Sequence, residues 1–173
     1  MSEGILLPPI ARGTVRPEAE RVARLAQAIP QIKAALAGER DPIVVQATLA
    51  CLLWEALPQT SWCGFYRRVD ARTLAVGPYQ GTMGCLRIDL GRGVCGACAR
   101  TKEVQLVPDV SKVADHIACD DKTQSELVLP VLSRGEVEAV LDLDSLTLDA
   151  FSREEADLLE GLLRDVFADV SFR

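Results

Sequence analysis

Between Trp62 and Asp144 the apolar residues change their spacing from a helical period of 3.6 to a period of 2, and that switch limits the fold more than any other feature. The segments WCGFYRRV, TLAVGPY, CLRIDL, VQLVPD, ELVLPVL and EVEAVLDLD each read as a short strand, and six strands make a whole sheet. The last two are joined by Ser133-Arg134-Gly135, a tight connection carrying glycine, which makes them an antiparallel hairpin. Upstream, Val22, Leu25, Ile29, Ile32 and Leu36 recur at helical spacing from Glu18 to Ala37. Pro30 is expected to kink or split that helix and Gly38 to end it. Asp41 has the place of an N-cap with Pro42 at the first helical position, opening an apolar helix through Leu57 that Pro58 stops. GRGVCGACARTK offers loop glycines and then a short helix. Ser152 with Glu155 forms a capping box before Leu158, Leu159, Leu162, Leu163 and Phe167, so the chain closes on an amphipathic helix. Helices, then antiparallel strands, then a helix define an α+β fold.

A chain of 173 residues is near single-domain size, and such a domain buries roughly 70% of the surface its unfolded chain exposes. A formal charge of -6 with no local basic stripe argues against a nucleic-acid partner. The start, MSEGILLPPIARG, is acidic where a signal peptide is basic, and no stretch approaches the ~20 apolar residues of a membrane span. A soluble, cytoplasmic protein with no membrane partner is expected. Residues 1–17, with Pro8, Pro9 and Pro17, read as a flexible extension before a single domain over 18–173.

Six cysteines in a reducing compartment are expected as thiols, with any disulfide transient. Cys51, among Ala50, Leu52 and Leu53, reads as core, and Cys63 on the first strand reads as packing. Cys98, one helical turn after Cys95, is undecided. Cys85 and Cys95 are bordered by glycines and turns, and Cys119 stands in the polar run HIACDDKTQSE, so these three are the candidates for thiolate chemistry. Cys95 follows GRGV at a helix N-terminus, where the dipole is expected to lower a thiol pKa. Three chemistries compete. Zinc would take Cys95 and Cys98 as a C-x-x-C with Cys85, His116 and Cys119, but a second knuckle is lacking, so no metal is expected. A cysteine hydrolase would have only His116, three positions before Cys119. Thiol redox chemistry, in which one thiolate becomes sulfenic acid and a second cysteine condenses with it, accounts for several cysteines at once.

Asp142 and Asp144 in VLDLDS alternate with Leu141 and Leu143, so both carboxylates face one side of the sheet, ~7 Å apart. Glu126, near the start of the partner strand, can share that face. The bland alternative is a solvated sheet surface. Clustered carboxylates beside a cysteine loop favour a cation between them, and their mutual repulsion raises one carboxyl pKa. Trp62 and Tyr66, four apart on the first strand, also share a face and suit a small, partly apolar ligand as well as they suit core packing.

The ordered motifs WCGFY, GPYQG, CLRIDLGRGVCG, HIACD, SELVLPV and LDLDS, from about Ala47 to Leu163, resemble those of the free methionine (R)-sulfoxide reductases, which are single GAF domains. The resemblance implies a six-stranded antiparallel sheet with flanking helices and a ligand pocket closed by loops. It implies reduction of free methionine (R)-sulfoxide with no bound cofactor, thioredoxin as the external reductant, and a homodimer. It makes Cys119 the nucleophile, Cys85 the resolving thiol and Cys95 the third redox cysteine. Glu126, Asp142 and Asp144 become the carboxylates that hold the substrate ammonium and assist proton transfer, and Trp62 and Tyr66 the aromatics around the methyl sulfoxide. The rival expectation is a noncatalytic GAF module that binds a small ligand as a sensor.

Overall fold

The computed structural model describes residues 5–114 and 121–172. Two helices come first, α1 (Glu18–Ala35) and α2 (Pro42–Ala56), then strands β1 (Trp62–Arg68), β2 (Thr73–Gly81) and β3 (Arg87–Asp89). Helix α3 (Gly93–Thr101), β4 (Gln105–Val107), the hairpin β5 (Ser125–Ser133) and β6 (Glu136–Ser145), and helix α4 (Arg153–Val166) complete the chain. The strands form one sheet in the order β3-β2-β1-β6-β5-β4, with every neighbouring pair antiparallel. Six antiparallel strands with flanking helices are the α+β fold expected from the change of period.

Local chemistry accounts for the element ends. Asp41 caps α2 by accepting from the backbone amides of Ile43 and Val44, with Pro42 at the start of the helix. The far end of α2 has no basic residue in its last turn, and its orphan carbonyls are satisfied from outside the helix. Arg24 donates to Glu55 and Ala56, and Arg12 donates to Trp54 and Leu57. Ser152 and Glu155 make both bonds of the capping box that opens α4. Ser133 pairs with Glu136, leaving Arg134 (φ 52) and Gly135 (φ 80) as a two-residue hairpin loop, the case in which a glycine relieves a left-handed backbone.

The sheet divides the interior in two. On one side Phe65, Leu127, Leu129, Leu141 and Leu143 pack against α1, α2 and α4 in the larger core. Each fully buried leucine there contributes ~1.5–3 kcal/mol relative to exposure. On the other side a smaller cluster joins Trp62, Tyr66, Val128 and Val140 to Val94, Cys95 and Cys98 of α3. Arg21 of α1 and Glu155 of α4, both buried, pair at 3.0 Å, with Gln59 Nε2 donating to the same carboxylate, and this network pins the three segments together.

Three expectations need correction. Helix α1 is not split at Pro30, because Leu25, Ala28 and Ile32 bury one continuous face against the core. The segment read as a flexible arm is held from Ile5 onward, since Ile5 is buried, Gly13 donates to the Pro58 carbonyl and the Arg12 guanidinium lies 3.8 Å from the Trp54 ring centre. Cys51, read as core, is exposed. Helix α2 is apolar on nearly all sides, so its spacing does not mark the outward stripe of Val44, Ala47, Cys51 and Glu55.

Candidate active site

The small side of the sheet collects most of the predicted site residues by register alone. Trp62, Gly64 and Tyr66 alternate onto this face from β1, and Asp142 and Asp144 do so from β6. Asp144 stands opposite Trp62 on one side and Glu126 on the other, and Asp142 stands opposite Gly64 and Val128. Helix α3 then lays Val94, Cys95 and Cys98 on the same face.

An aromatic wall forms one half of the site. Trp62 stacks on Tyr66 with ring centres 5.5 Å apart and on Tyr79 at 5.1 Å. Tyr79 and Gly64 are additions to the predicted set, and cross-strand register is what joins them, since they are direct partners on β1 and β2. A Cβ at Gly64 would stand 2.2 Å from Tyr79 Cβ and 2.8 Å from the Trp62 ring, so the absent side chain is what lets the two rings meet. The loop from Gly81 to Cys85 closes over this wall. Trp62 Nε1 donates to the Thr82 carbonyl at 3.1 Å, and a Cβ at Gly84 would come within 2.9 Å of the Tyr66 hydroxyl. That hydroxyl accepts from the Cys85 backbone amide, and burial pushes its pKa up, keeping it protonated.

The other half is acidic. Glu126 and Asp142 are each only 6% exposed, too little for solvent to support two charges. Burial first, and then the negative charges of Asp144 and Glu126, push the Asp142 carboxyl well above the usual carboxylate range. The Cys95 thiol donates to Asp142, which also shares a hydrogen bond with Glu126. One donor atom each from Cys95, Glu126 and Asp142 lies within 4.8 Å of the others. Asp142 Oδ1 has no hydrogen-bond partner among the described residues.

The cysteines sort by position. Cys95 is the third residue of α3, but the expected helix-dipole activation does not prevail. Its thiol is 4% exposed, and burial together with Asp142, Glu126 and Asp144 pushes its pKa well up. Burial, with Asp142 and Glu126, raises Cys98, which is fully covered. Cys63 lies in the larger core, where burial also raises its thiol. Cys51, Cys63, Cys95 and Cys98 are free thiols, whereas Cys85 is disulfide-bonded and half-buried against the small cluster. Cys119 and His116 lie outside the described residues. An open groove of about 860 Å³ between the hairpin end and α4 contains none of the predicted site residues.

The raised Asp142 carboxyl has a stability consequence. A carboxyl whose folded pKa exceeds its unfolded value supports folding fully below the unfolded pKa, and that support is lost as pH rises through the folded pKa. Asp142→Asn removes this dependence and can donate permanently to Glu126. We expect the ligand-free variant to be more stable than the wild type by roughly 1–3 kcal/mol at neutral pH, about 2–4 °C of Tm per kcal/mol. The gap should widen from mildly acidic pH upward. A variant that melts below the wild type at every pH would show that Asp142 is a structural asset and not a strained binding group.

Residues 39–166 match the GAF domain family model. The chain is 40% identical to the free methionine-R-sulfoxide reductase of Escherichia coli K12 over 130 residues, covering 75% of this chain and 78% of that one. It is 42% identical to the enzyme of the same name from Saccharomyces cerevisiae over 120 residues, covering 65% and 67%. Among solved structures, the free methionine-R-sulfoxide reductase of Neisseria meningitidis, in complex with its substrate, superposes with a TM-score of 0.82 at 34% identity over 94% of this chain and 95% of that one. The fold and the matched model define a GAF domain. Within that class, the chain belongs to the family of free methionine-R-sulfoxide reductases. No helix among the described residues is long and apolar enough to cross a membrane.

Proposed function

We propose that this protein reduces free methionine (R)-sulfoxide to methionine in the cytoplasm, with Cys119 as nucleophile, Cys85 as resolving thiol and thioredoxin as the external reductant. The observation that carries the reading is the arrangement on one sheet face: a disulfide-bonded cysteine beside an aromatic wall and a pair of buried carboxylates.

In this scheme the Cys119 thiol takes the sulfoxide oxygen, so the substrate sulfur is reduced to a thioether and Cys119 becomes sulfenic acid. The Cys85 thiol condenses with it, forming a disulfide and releasing water. A thioredoxin dithiol then reduces that disulfide and is itself oxidised. Glu126, Asp142 and Asp144 hold the substrate ammonium, and the protonated carboxyl at Asp142 is a proton source for the departing oxygen. Trp62 and Tyr66 enclose the methyl end. Cys95 serves here as a buried hydrogen-bond donor that orients Asp142, in place of the third redox role expected for it. The homodimer that the resemblance implies belongs to the same reading.

The test couples the protein to thioredoxin, thioredoxin reductase and NADPH, with free methionine (R)-sulfoxide as substrate. NADPH should be consumed in step with methionine formed, and the S epimer should support little consumption. Absence of any sulfoxide-dependent NADPH oxidation in the presence of active thioredoxin would overturn the proposal.

A further inference from the structure

The acidic half of the site combines groups that an ammonium alone does not require. A cation of single charge needs oxygen acceptors, yet a thiol is packed among them, with donor atoms of Cys95, Glu126 and Asp142 all within 4.8 Å of one another. Asp142, 94% buried by its 6% exposure, contributes an oxygen that no described group satisfies. We propose that Cys95, Glu126 and Asp142 form a binding site for a soft divalent cation of the zinc type, whose occupancy excludes the ammonium of the substrate. This rests in part on the reading of the carboxylates as the ammonium site.

The donor set fits that class of ion. Zinc takes thiolate sulfur at ~2.3 Å and carboxylate oxygen at ~2.0–2.2 Å, and three protein ligands with one open position are a common coordination for it. Tetrahedral ligands at those lengths stand roughly 3.3–3.7 Å apart, so donors within 4.8 Å of each other need only a modest side-chain rotation to close on one ion. Magnesium and calcium, which take oxygen ligands, are disfavoured by the sulfur. The cation would take the place of the protons that now join Cys95 to Asp142 and Asp142 to Glu126. Of the C-x-x-C pair only Cys95 is among the three, and Cys98 is not.

The experiment uses the full chain in its disulfide form, in which Cys85 is occupied, titrated with Co²⁺ as a spectroscopic substitute for Zn²⁺. A near-ultraviolet sulfur-to-cobalt charge-transfer band should appear at one equivalent and be displaced by Zn²⁺. Cys95→Ser should abolish the band and weaken Zn²⁺ binding by more than the roughly 10- to 100-fold that loss of an outer ligand partner costs. Glu126→Gln should weaken it too, while Cys98→Ser and Cys51→Ser should leave it in place. A wild type without the band, or a band that survives Cys95→Ser, overturns the metal site. These readouts do not depend on turnover. Saturating free methionine sulfoxide should remove the band. If the band is Cys95-dependent but indifferent to substrate, the metal site stands and the ammonium reading is what fails.

Discussion

Acetylating the amine of methionine sulfoxide will lower kcat/KM by at least about a hundredfold. Glu126 and Asp142 are each 6% exposed, and burial pushes the Asp142 carboxyl well above the usual carboxylate range. The free amino acid brings an ammonium that balances the negative charge of this cluster, in which the raised Asp142 carboxyl keeps its proton for transfer. The acetylated substrate brings a neutral amide and additional bulk. Breaking a buried ion pair by removing one partner costs ~3–5 kcal/mol, a factor of roughly 150 to 5,000. The lower end applies because Asp142, which burial holds protonated, adds no charge that needs the cation. Peptide-bound methionine sulfoxide lacks the same amine, so a penalty of similar size will separate free from peptide-bound substrate. Steady-state kinetics with the two small substrates measures the ratio, and Asp142→Asn and Glu126→Gln should both slow the free substrate and narrow it. Equal kcat/KM for the free and acetylated compounds would remove the carboxylates from substrate recognition.

What the sequence made legible follows from what a period can encode. Alternation along β1 and β6 assigns Trp62 with Tyr66, and Asp142 with Asp144, to common faces, because a residue two places along a strand returns to the same side. The capping residues at Asp41 and Ser152 are equally local and equally readable. Other features belong to the packing of one element on another. The glycines before Cys95 mark a turn and a helix start, but they carry no information about what the helix will rest on. The sheet that covers Cys95 raises its thiol where the helix end alone would lower it. The exposure of Cys51 is hidden for the opposite reason, since a helix apolar on nearly every side has no stripe to show which face is outward. Tyr79 joins the aromatic wall only through the register that sets it against Gly64, which is a relation between strands and not within one.

Replacing Cys119 by serine will abolish turnover, whereas Cys85→Ser will release about one methionine per enzyme and then stop. The attacking sulfur has to become a thiolate and has to reach the substrate, and the other cysteines fail one condition or the other. Cys63 is sealed in the larger core, on the far side of the sheet from the carboxylates, and its thiol is pushed up by burial. Cys98 and Cys95 are buried under α3 beside negative charge, which disfavours a thiolate on either. Cys51 is exposed but lies on the outward face of α2. Cys85 is disulfide-bonded, and its backbone amide is already engaged by Tyr66, which suits a resolving thiol carried on a short loop over the site. Without Cys85 the oxygen transferred to Cys119 in this scheme loses its resolving thiol, so the enzyme stalls as a sulfenic acid or as a substitute disulfide. Rapid-quench measurement of methionine, with intact-mass detection of one added oxygen, distinguishes the two variants. Full multiple turnover in Cys119→Ser would move the nucleophile elsewhere, and a stoichiometric burst in that variant that is absent from Cys85→Ser would exchange the two roles.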